Sequence, residues 1–89
     1  MCNYVQHMTE YERKKIEAEL RSFTSRNFEK PSACKNLDQI RFYVHELCAK
    51  IEEYHTRFSY VPSWAYGLLA QYNAVQNSMI EKQLKSNYH

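Results

Sequence analysis

Few residues in this sequence have the types and spacing that chemistry needs. His45 and Cys48 stand one helical turn apart, so a helix would offer an imidazole and a thiol to one ion. His55 and Cys34 are the other side chains able to join them. Structural zinc takes four ligands, commonly in two short-spaced pairs, and the sequence holds no Cys-x-x-Cys. Glu52 and His55 have the Glu-x-x-His spacing of di-iron helical bundles. That chemistry uses the motif twice with two further glutamates, and a single copy is present. There is no Gly-rich phosphate loop and no nucleophile motif. The expectation is a protein that is not an enzyme, with no metal site and no cofactor.

A second chemistry to weigh is phosphate binding. Arg13, Lys14, Lys15 and Arg21, followed by Arg26, Lys30 and Lys35, form a basic run of the kind that tracks a nucleic-acid backbone. Glu10, Glu12, Glu17, Glu19 and Glu29 are interleaved with it. Pairs such as Glu17 and Arg21 have the i,i+4 spacing of ordinary helix-surface support. The net charge of +2 sets up no global field for nucleic acid or an anionic membrane. Nucleic acid therefore stands as the alternative partner, behind a protein.

These residues must be carried by helices. The chain has 89 residues, one glycine and two prolines, which suits one small all-α domain better than a turn-rich sandwich or barrel. Leu37, Ile40, Val44, Leu47, Ile51, Tyr54 and Phe58 alternate steps of three and four. That unbroken a/d register predicts a helix over 37–58 with one apolar stripe, capped by Asn36. Thr9 and Glu12 make a capping box for a shorter helix over about 10–23, with Ile16, Leu20 and Phe23 as its narrow stripe and Met8 as a staple against the Arg13 stem. Residues 1–8 read as a loose lead-in, and 24–35, with Ser25, Asn27, Pro31 and Ser32, as a long connector in which Phe28 plugs the core edge. Pro62 and Ser63 close a short joint before a third helix over about 64–84, whose apolar positions are Ala65, Leu68, Leu69, Tyr72, Val75, Met79 and Ile80. The joint is short enough to fold helices 2 and 3 into an antiparallel hairpin crossing at about +20°, with helix 1 packed across it.

Three surfaces depart from a plain bundle. From Phe58 to Ile80 no residue is charged, over twenty-three positions, while charge is dense elsewhere. Its amides and hydroxyls exclude a membrane span, whereas loss of charge with retention of aromatics marks the centre of a protein interface. The alternative is that helix 3 is buried on two sides inside the monomer. Phe42 falls at f, opposite the stripe, and is either a partner anchor or covered by Tyr4, Val5, Met8 or Phe28. Tyr60, Trp64 and Tyr66 cluster at the hairpin turn, with Trp64 expected to seal the core. Cys48 at e reads as a small residue at the core margin.

The sequence thus predicts a non-enzymatic protein–protein interaction module, a small adaptor or inhibitor docking on a larger protein or on itself as a homodimer. Its contact residues are Phe42, Tyr60, Tyr66, Asn73, Gln76, Asn77 and Ile80. No membrane partner is expected. Three cysteines without paired spacing fit reduced thiols, and the N-terminus lacks a signal-peptide pattern, so the expected compartment is cytoplasmic.

Overall fold

The computed structural model describes residues 8–87. The chain folds as α1 (Glu10–Asn27), a 3-10 turn (Pro31–Ala33), α2 (Leu37–Phe58) and α3 (Ser63–Asn87). Helices α2 and α3 pack against each other as a hairpin, and α1 lies against one side of it. Tyr4 and Val5 of the expected lead-in lie outside the described residues. Met8 is within them and is half-buried against the core, seated near Tyr54 and Phe58.

Local signals start the first two helices. At α1 the capping box closes in both directions: the Glu12 amide donates to the Thr9 hydroxyl at 3.1 Å, and the Thr9 amide to the Glu12 carboxylate at 2.9 Å. At α2 the Gln39 amide donates to the Asn36 side chain at 3.1 Å. Helix α2 ends on Ser59, which sits in the left-handed region at φ 52°, a conformation that costs a non-glycine residue about 1 kcal/mol. The turn is held there because the Ser59 amide donates to the His55 carbonyl at 3.0 Å. Helix α3 begins one residue earlier than its pattern implied, with Ser63 already helical and the Ala65 amide closing on the Pro62 carbonyl.

Helix α1 runs four residues past the expected end at Phe23. Ser25 and Asn27 carry turn-forming side chains, yet both lie in the last turn of the helix. The Thr24 hydroxyl donates to the Arg21 carbonyl and the Asn27 amide group to the Phe23 carbonyl. Side chains that compete with the backbone in a loop here bond back to carbonyls of the preceding turn, the i−3 and i−4 pattern compatible with a continuing helix. The connector is correspondingly shorter, and Pro31 opens its 3-10 turn.

The core is one cluster. Ile40, Leu47, Ile51 and Tyr54 come from α2, Ala65 and Tyr72 from α3, Ile16 and Leu20 from α1, and Phe28 and Cys34 from the connector. Two members had no place in the a/d pattern. Tyr43, at g, is 3 % exposed because the Phe28 ring lies 4.8 Å from it and the Tyr72 ring 5.6 Å. Cys34 is buried beneath the 3-10 turn, where loss of solvent and the nearby Glu29 carboxylate push its thiol up.

Tyr72 ties the connector to the hairpin. Its hydroxyl donates to the Glu29 carbonyl, and burial pushes its pKa up to about 12. An unfolded tyrosine releases its proton near pH 10, so the fold holds this proton longer than the open chain does. Stability from the group is therefore complete below about pH 10 and is lost as pH climbs toward about 12. Tyr72→Phe is expected to lower stability at neutral pH by about 1 kcal/mol, through the lost hydrogen bond. The same change should flatten the alkaline decline, although Tyr54 and Tyr60, shifted in the same direction, keep part of it. Denaturant titrations at neutral and alkaline pH check both effects; an unchanged alkaline slope would show that Tyr72 does not carry it.

Candidate interaction surface

The hairpin has two broad faces, and the rest of the chain covers one of them. On the covered face α1 seats Ile16 and Leu20, the Tyr60 hydroxyl donates to the Glu17 carboxylate at 2.7 Å, and the Arg21 guanidinium lies 4.4 Å over the Trp64 ring. The Lys50 ammonium lies 4.9 Å over the Phe23 ring. Farther along, Phe28 covers Tyr43 and Tyr72. These contacts enter α2 from the g side, which carries Tyr43, Lys50 and Arg57.

The opposite face receives the e side of α2, with Arg41, Cys48 and His55, all exposed. Cys48 is therefore a surface residue, which corrects its assignment to the core margin: the one-sided cover lies over Tyr43 and Lys50 on the g side and leaves e in water. From α3 this face receives Tyr66, Leu69, Asn73, Gln76 and Ile80, at alternating helical steps. Tyr66 and Leu69 share a shallow groove with Cys48, Ile51, Glu52 and His55. Tyr66 is 49 % exposed, Asn73 and Asn77 are exposed, and Gln76 and Ile80 are half-buried.

Five of the seven contact residues expected from sequence are thus gathered on one flank of α3. Two are not. Tyr60 is turned to the covered face, where its hydrogen bond to Glu17 holds its hydroxyl pKa above the usual range. Phe42 projects from the far side of α2 and is 55 % exposed; Phe28 does not cover it, because that ring is taken up by Phe23, Tyr43 and Tyr72. Trp64 does pack against the core as expected, half-buried, with its indole N–H enclosed and unpaired under Arg21.

The basic residues of the first helix are spread around it. Lys14 pairs with Glu10 at 3.7 Å, Lys15 borders the cleft between α1 and α2, and Arg21 turns to Trp64. Arg13 is exposed, the Arg26 guanidinium donates to the Ser22 carbonyl at 3.3 Å, and Lys30 and Lys35 lie on the exposed connector. The cleft has a volume of about 480 Å³ and mixes carboxylates with cations. Several of these satisfy one another: Glu53 meets Arg57 at 2.9 Å and Lys50 at 3.6 Å, and its pKa is held low chiefly by the Arg57 hydrogen bond. Among the described residues no three of His, Cys, Asp and Glu converge as metal ligands, and His45 and Cys48 are both open to solvent. No helix among the described residues is long and apolar enough to cross a membrane.

The e/g asymmetry is the feature that periodicity alone did not reveal. Arg41, Cys48 and His55 are no more polar as a set than Tyr43, Lys50 and Arg57 once aliphatic stems are counted. The one available signal was the bulk of Tyr43 against the small Cys48. No family model, curated protein or solved structure matches the chain.

Proposed function

We propose that this protein is a non-enzymatic protein–protein interaction module, a small adaptor or inhibitor that engages its partner through the uncovered face of the α2–α3 hairpin. The observation that carries the proposal is the exposed flank of α3. A solvated helix normally turns lysine and glutamate outward, yet the flank through Tyr66, Asn73, Asn77 and Ile80 carries none. An uncharged surface built from tyrosine, amides and aliphatic carbon is readily desolvated, and its amides can both donate and accept. Cys34 and Cys48 are free thiols, in keeping with a cytoplasmic site of action.

Replacing both Asn73 and Asn77 by lysine tests the site. Both positions are exposed, so helicity by circular dichroism should match the parent. Capture of a partner protein in nuclease and high salt should fall by at least about 100-fold, because buried unpaired charge costs several kcal/mol. Equal capture by parent and variant would remove α3 from the contact. Capture that disappears with nuclease would move binding to the basic residues of α1.

A further inference from the structure

We propose that α1 is a hinged cover that opens from the α2–α3 hairpin as a unit, pivoting at Phe28, while the connector and the hairpin stay folded. This cover lies on the face opposite the proposed partner contact, so its opening and that contact stand or fall separately.

Helix α1 carries its own supports. Its capping box is internal, through Thr9 and Glu12, and Lys14 pairs with Glu10. Across the cleft, Glu53 is likewise satisfied within α2, by Lys50 and Arg57. Charges of both signs line the two walls, yet among the described residues no ion pair joins them. Separating the walls therefore breaks no ion pair. The apolar seat of α1 is narrow. Of its 18 residues, Ile16, Leu20 and Thr24 are buried. The cleft of about 480 Å³ runs beside that seat, with Ile16 on one wall and Tyr54 and Phe58 on the other. The remaining ties are the hydrogen bond from Tyr60 to Glu17, Arg21 over Trp64 and Lys50 over Phe23. Their side chains are half-buried or, for Arg21, exposed, so water competes with each contact. Few buried apolar contacts and rim ties open to solvent are the marks of an element that opens before the rest of the fold.

Closure also has a cost at the seam. The Trp64 indole N–H is enclosed with no hydrogen-bond partner among the described residues. The Arg21 guanidinium over its ring has only donors, so it cannot serve that N–H. Lifting α1 returns the N–H to water and recovers the cost of leaving it unpaired. The pivot follows from a contrast at Phe28. This residue caps the C-terminus of α1 with an extended backbone, and its ring is buried against Tyr43 and Tyr72. The next carbonyl, of Glu29, accepts from the Tyr72 hydroxyl, and Cys34 beyond it is buried. The chain is thus anchored immediately after the helix, which fixes where a swing begins. Opening bares Trp64, Tyr54 and Phe58, an apolar strip on the face opposite the uncharged flank of α3. That strip is reached only once α1 has moved, so α1 acts as an autoinhibitory cover over it.

Amide hydrogen exchange of the full chain in a urea series tests the cover. Amides from Ile16 to Phe23 should exchange through an opening at least about 10-fold more frequent than the one that exposes Leu47 and Tyr72. Ile40→Val then separates local from global opening. Ile40 is fully buried in the first turn of α2, beyond Tyr43, where the connector rather than α1 lies over the hairpin. The closed and open forms share an intact hairpin, so this mild change should speed exchange at Leu47 and Tyr72 by about threefold or more and leave residues 16–23 unchanged. Equal acceleration of both sets would show that α1 leaves only when the whole chain unfolds, and overturns the cover. A second readout locates the pivot. Trp64 is the only tryptophan, so acrylamide quenching of its emission reports the seam. In a Cys2→Ser/Cys48→Ser background, thiol labelling reports Cys34 beneath the connector. Trp64 should become quenchable at urea concentrations that leave Cys34 protected. If both become accessible together, Phe28 is not the pivot and the connector opens with the helix.

Discussion

Leu47→Ala is expected to lower the unfolding free energy by about 2–5 kcal/mol. Leu47 is fully buried at the midpoint of α2, facing α3. Truncation removes the transfer energy of the lost carbons and leaves a void whose walls belong to two long helices that cannot close on it independently. At about 0.05–0.15 kcal/mol per residue, a chain of this size has a total stability of about 4–13 kcal/mol. The variant therefore loses a large share of its stability, and a loss of about 5 kcal/mol unfolds it at room temperature if the parent's stability is about 4 kcal/mol. Urea titration followed by circular dichroism measures the difference. A midpoint unchanged from the parent would mean that α2 does not turn this stripe to the core, and the hairpin itself would be in error.

The prominence of Leu47 was readable in advance because the a/d steps along α2 are uninterrupted. The stripe from Leu37 to Phe58 is buried or half-buried at every position, and the helix has the bounds its caps implied. Direction of coverage was not readable. A heptad stripe states which positions meet a neighbour, but it leaves open which shoulder receives the third element. Tyr43 and Cys48 flank the same stripe, and α1 with the connector settled on the Tyr43 side. That choice depends on where residues 28–36 send the chain, and periodicity carries no information about it. The end of α1 was hidden for a related reason. Thr24, Ser25 and Asn27 are loop-favouring types, yet the polar side chains of Thr24 and Asn27 bond back to the Arg21 and Phe23 carbonyls within the helix. The candidate surface was half legible. Lack of charge on α3 was visible from composition; that Tyr66 and Asn73 share one exposed flank while Tyr60 turns away required the position of α1.

Coverage by the connector makes Phe28 the other residue whose loss should be most costly. Phe28→Ala is expected to destabilise the fold by about 3–5 kcal/mol. The ring is 9 % exposed and has three aromatic neighbours, with centroids 5.5 Å away at Phe23, 4.8 Å at Tyr43 and 5.9 Å at Tyr72. The pairs with Phe23 and Tyr72 are edge-to-face, and aromatic pairs of that kind add about 0.5–1.5 kcal/mol to burial alone. Phe28 also anchors a segment with little regular structure to hold it. Releasing it frees the adjacent Glu29 carbonyl from the Tyr72 hydroxyl and opens the cover over Cys34. The loss should thus appear in three signals at once: a lower urea midpoint, weaker near-ultraviolet tyrosine dichroism, and faster reaction of Cys34 with a thiol reagent. Phe42→Ala is the matched control, the same deletion at a residue 55 % exposed, and should move stability by no more than about 0.5 kcal/mol. If the two variants proved equally stable, the aromatic cluster would not be what holds the connector, and the covered and uncovered faces of the hairpin would have to be reassigned.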